Sequence, residues 1–171
     1  MLHLQVHTPC RRTLMATYKS DMLNFGYNAS LHVHHPTTSL IDLGERIGIA
    51  TSHWHRHGDP RTTPNGTSLP GLYSDNYWCG QFLTRDQEDI TDFLRGIVNK
   101  LSPQQEFLRS IVDTGGVLCV FINVGCTHCC AHQFDRHLLA DLSAIGLGIR
   151  IDFYGADLPQ RGLHPKADQA V

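Results

Sequence analysis

Three cysteines and two histidines fall within seven positions of GCTHCCAHQFDRHLLADL, residues 125–142. Thiolate and imidazole are ligands that zinc favours, and Cys126-x-x-Cys129 has zinc-knuckle spacing, with His128 and His132 beside it. A structural zinc site needs a second ligand pair, and the chain has no second CxxC. Cys79 or a histidine of the 53–57 group would have to supply it through the fold. A Cys126/Cys129 redox pair is a further option, because a helix N-terminus lowers a thiol's pKa. The reading the residues favour is plainer: a loop of small and polar residues entering a helix, its thiols acting as small hydrophobes.

A second cluster is HWHRH. In an extended segment His53, His55 and His57 project from one face, where several imidazoles can reach one metal ion. His32 and His34 alternate in the same way and would join them if their strands pair. The segment 58–78 supplies Asp59, Arg61, Tyr73, Asp75, Tyr77 and Trp78, a set suited to ligand or partner recognition beside a long loop. The favoured role for Trp78 is to anchor that loop to the core. The chain contains no Gly-rich phosphate loop, GxSxG elbow, HExxH motif or Rossmann fingerprint.

These residues must be held by elements that the hydrophobic pattern predicts. FGYNASLHVHHP alternates, with Phe25, Tyr27, Ala29, Leu31 and Val33 on one face, as in a strand buried on one side only. TTSLIDLGERIG reads as a short helix capped by Thr37 or Thr38 and stopped at Gly48. IATSHWH and YWCGQFL read as strands, separated by a Gly/Pro loop. TRDQEDITDFLRGIVNKL carries Thr84 and Gln87 in capping-box spacing and one apolar face. SPQQEFLRSIVDTGG places Ser102 as N-cap and Pro103 at the first helical position. VLCVFINV is nearly all apolar and reads as a central strand. A helix around Phe134 to Ile145 follows, and then GIRIDFYG, with Ile149, Ile151 and Phe153 inward. Asp86, Glu88, Asp89 and Asp92 read as a solvated helix face.

The order β-α-β-β-α-α-β-α-β with half-wet strands predicts an α+β two-layer sandwich. Its mainly antiparallel sheet has helices on one face and room for a ferredoxin-like β-α-β-β-α-β core. The 171-residue chain fits one domain, placed at 21–156 between an irregular extension (1–20) and a polar, disordered tail (157–171). Either Met1 or Met15 serves as the start. With 14 basic and 16 acidic residues the surface does not steer towards nucleic acid. No apolar run is long enough for a membrane span, and the start lacks a secretory pattern. The expected location is therefore cytoplasmic, with the cysteines as thiols.

Together, the polar-faced first strand, HRHGDPR, the loop to Trp78, FLRGIVNKLSPQ and FDRHLLADLSAIGLGIRIDFYG resemble the mainly bacterial domain of unknown function 4279 family over residues 25 to 155. That resemblance implies a compact α+β domain and carries no activity or catalytic residues. The expectation is a non-enzymatic accessory domain that binds another protein and needs no cofactor. A zinc protein using the histidine or Cys/His cluster is the alternative. A homodimer is compatible with either.

Overall fold

In the computed structural model the described residues are 25–63, 65–85, 88–126 and 131–155. The expected extension (1–20) and tail (157–171) lie outside them. Five strands form one mixed sheet in the order β2-β5-β1-β6-β7. They are β1 (Phe25–His35), β2 (Thr51–His55), β5 (Asn76–Phe82), β6 (Val117–Cys126) and β7 (Leu147–Gly155). Strand β1 runs antiparallel to both neighbours, β5 and β6, and β5 is antiparallel to β2. Hence β1 and β2 are parallel with β5 between them, and β5 and β6 are parallel with β1 between them. This is the ferredoxin-like double split βαβ. The chain then adds α4 and β7, which pairs parallel to β6.

The alternation of β1 becomes two faces. Ala29, Leu31 and Val33 are fully buried, together with Trp78, Val120, Ile122 and Val124 from the neighbouring strands. Helices α2 (Ile90–Leu101), α3 (Gln105–Asp113) and α4 (Arg136–Ile145) complete this core with Ile90, Leu94, Leu101, Leu108, Leu138 and Ile145. Short α1 (Leu43–Ile47) adds Leu43 and Ile47, and Gly48 ends it at φ 66°. Gly80 is needed where β5 crosses beneath Trp78, since a Cβ there would sit 2.4 Å from the indole ring.

Several expected boundaries move. Asp42 precedes α1, while Thr37 and Thr38 donate their backbone N–H groups to Nδ1 of buried His35. The cap of α2 is Asp89, whose carboxylate accepts from the N–H groups of Thr91 and Asp92. Thr84 instead donates its hydroxyl to the Tyr27 carbonyl, and Gln87 lies outside the described residues. Asp89 is thus a cap rather than one more solvated carboxylate. Ser102 opens a single 3-10 turn that joins α2 to α3. The expected loop after Pro60 contains a hairpin, β3 (Pro60–Thr62) and β4 (Ser68–Leu72). Strand β6 is covered on one side only, leaving Cys119, Phe121 and Asn123 partly exposed.

Candidate functional site

The other face of the sheet carries no described helix. Its side chains come from the polar half of each alternation, so register decides which of them meet. His32 pairs with Cys79 on one side and Cys119 on the other; His53 also pairs with Cys79. In the next row His34 and His55 both pair with Tyr77. The two histidine sets therefore share one face, with β5 between them.

Tyr77 is the hub of this surface. Its ring contacts His32, His34, His53 and His55, with centroids 5.8, 4.7, 5.9 and 5.1 Å away. The Tyr77 hydroxyl lies 2.7 Å from His32 Nδ1, and Ser30 Oγ lies 2.8 Å from His32 Nε2. Either neutral tautomer of His32 satisfies both bonds, because each hydroxyl can donate to the bare ring nitrogen or accept from the protonated one. Phe121 stacks on the His32 ring at 4.0 Å. His55 is stacked against Tyr73 at 3.6 Å, and Tyr73 bonds through its hydroxyl to the backbone of Thr62. The β3–β4 hairpin is thereby docked onto the histidine rows, carrying Arg61 with it. Asp59 caps the preceding turn by accepting from the Arg56 N–H.

Asp75 sits at the rim between two imidazoles. One carboxylate oxygen is 2.6 Å from His34 Nδ1, and the other is 3.5 Å from His55 Nε2. Burial alone would raise the Asp75 carboxyl; hydrogen bonding to His34 and attraction to His55 outweigh that and hold it below its ordinary range. Burial lowers His55 despite Asp75, and burial, followed by the charges of His34 and Arg150, lowers His32. The Cys79 sulfur is 3.8 Å from His32 Nε2, yet burial pushes that thiol up, as it does Cys119. That direction is opposite to the lowering that activates a catalytic thiol. At the far end of the same face, Asn28, Asn123 and Tyr154 line an open groove of about 620 Å³.

The remaining candidates fall elsewhere. Trp78 lies beneath the face with no exposed surface, donating its indole N–H to Thr51 Oγ1. His57 is beyond the end of β2, its backbone N–H bonded to Asn76. His132 stands 4.0 Å from Asp89 at the start of α2, in the helix layer. His128, Cys129 and the Cys126 side chain lie outside the described part. Cys126 pairs with Phe25, whereas Cys79 pairs with His32. Seven residues of strand separate those positions, about 23 Å, which sets Cys79 and the 53–57 histidines far along the sheet from the backbone of Cys126. Among the described residues, no group of three or more His, Cys, Asp or Glu is arranged to hold a metal ion. Ser30 and Arg150, expected on the wet sides of β1 and β7, also belong to this face, and from β6 it gains Cys119, Phe121 and Asn123, which were not expected there. Their signal is the alternation of β6, hidden because Cys119 and Phe121 look as apolar as their buried neighbours.

The model of the family described as domain of unknown function (DUF4279) matches residues 25–156. The chain belongs to this family. The match spans the whole sheet of this DUF4279 domain, from β1 through β7, together with the helices that cover it. Comparison of the DUF4279 chain with curated proteins and with solved structures finds no match. Among its described residues no helix is long and apolar enough to cross a membrane.

Proposed function

We propose that the chain is a non-enzymatic, cytoplasmic binding domain that engages another protein through the open face of its sheet. The observation that carries this reading is the Tyr77 hub, a set of aromatic and imidazole rings on a face that no described helix covers, each ring already held by its neighbours. Rings fixed before contact lose little side-chain freedom on binding, and amphipathic rings tolerate both water and an apolar partner. Tyr73, Arg61 and Asp59 belong to the docked hairpin and its turn, and form the rim of this surface. The raised Cys79 and Cys119 thiols support a role without covalent catalysis.

The zinc reading would draw on His34 and His55, which flank the Asp75 carboxylate, although these three are not arranged to hold a metal ion. An ion there would have to displace the short His34–Asp75 hydrogen bond, which favours the protein-binding reading. Elemental analysis of untagged protein separates the two: stoichiometric zinc would replace the first reading with the second.

The direct test is photo-crosslinking in cells with benzoylphenylalanine at His53 on the open face or at Asn99 on the outer side of α2. A discrete adduct from position 53 and none from position 99 is the expected result. Adducts from both positions, or none from 53, would overturn the proposal. So would turnover of any substrate in a broad hydrolase and oxidoreductase panel.

A further inference from the structure

The two outer strands of the sheet differ in kind. Strand β2 is five residues long, exposed, and broken by a register shift against β5. Such irregularity is a common way of blunting an edge. Strand β7 runs nine residues in unbroken register with β6 and contains no proline or lysine. Among the described residues no strand pairs with its far side, whose regular row of backbone donors and acceptors is a template for another strand.

The side chains of β7 match themselves in reverse. Read outward from Ile151, the flanking pairs are Arg150 with Asp152, Ile149 with Phe153, and Gly148 with Tyr154. Arg150, Asp152 and Tyr154 lie on the open face, and Ile149, Ile151 and Phe153 on the helix face. On the helix side the edge is incompletely covered. Phe153 is 55% exposed and Leu139 of α4 is 48% exposed, and Leu139 and Ile149 line a common groove. Arg150 now bonds to its own Asp152 through Nε, at 3.1 Å to both carboxylate oxygens.

We propose that β7 pairs with β7 of a second copy, antiparallel about a two-fold axis at Ile151, joining two sheets into one. Directly opposed residues in an antiparallel pair lie close enough to interact. This register sets Arg150 against the partner's Asp152 twice over and stacks Ile149 against the partner's Phe153. It also lays Tyr154 over the partner's Gly148, a pairing that compensates a strand glycine. The contact is isologous and closes at two copies. The occupant is a second copy because this strand is complementary to its own reverse in both charge and size. The open faces would then lie side by side on one continuous surface.

The test is charge reversal, read by sedimentation of the full chain. Wild type should sediment at twice the 19.1 kDa chain mass. Arg150→Asp alone or Asp152→Arg alone places like charges opposite each other twice, weakening the dimer roughly tenfold or more. Mixing the two variants restores complementarity, as does the double exchange in one chain, and both should sediment as dimers. Circular dichroism of each variant checks that the fold is intact. A monomeric wild type, a dimer indifferent to single reversals, or single variants that stay apart when mixed would each overturn the proposal.

Discussion

Asp75 is the residue through which the open face can be probed one group at a time. It raises His55 against the lowering effect of burial, so Asp75→Asn should move the His55 pKa further below 6.5. A histidine-detected NMR titration measures that; an unchanged or higher His55 value would contradict the arrangement. The sequence made the histidine half of this surface legible, because the alternation of β1 and of HWHRH assigns His32, His34, His53 and His55 to wet faces. It could not reveal Tyr77 as the common contact. That depends on β5 lying between β1 and β2, a long-range pairing with no local signature. His34 and His35 differ by one position and have opposite fates. His34 meets Asp75 on the open side; His35 is 1% exposed and holds the turn at Thr37 and Thr38.

At the scale of elements, the apolar stripes were the readable part. Ile90, Phe93, Leu94, Ile97, Val98 and Leu101 all bury on α2 as their spacing requires. Ends were harder, since several residues in TRDQED can accept a backbone N–H and only the bend of the chain chooses among them. Asp89→Ala should therefore cost about 1 kcal/mol of stability, measured by urea unfolding, whereas Thr84→Ala should leave the α2 cap untouched. An equal or larger loss at Thr84 would mean the helix starts earlier. The β3–β4 hairpin escaped notice because its residues are almost all exposed and show no alternation. Close packing gives a sharper expectation. Gly80→Ala pushes a methyl group into Trp78 and Ile49 and should cost about 1–3 kcal/mol or more. A neutral effect would mean that the indole is not seated against β5.

For the whole molecule, titration on the bare face sets how stability depends on pH. His32 and His55 have folded pKa values below 6.5, so the unfolded chain binds more protons between those values and 6.5. Stability should be full above pH 6.5 and fall as pH drops through that window. Asp75 is held below its ordinary 3.8, and its contribution is lost only as pH falls through its folded value. Urea midpoints across pH should show the first decline with wild type and a smaller one with His32→Phe. A midpoint that rises on acidification would contradict both assignments.

All of this rests on the sheet having one bare face and one covered face in the full chain. Diethylpyrocarbonate labelling read residue by residue by mass spectrometry compares the two faces with a single reagent. His34 and His53 should be modified rapidly and His35 hardly at all. Protection of His34 equal to that of His35 would mean that something covers the open face, and the binding surface described above would not exist.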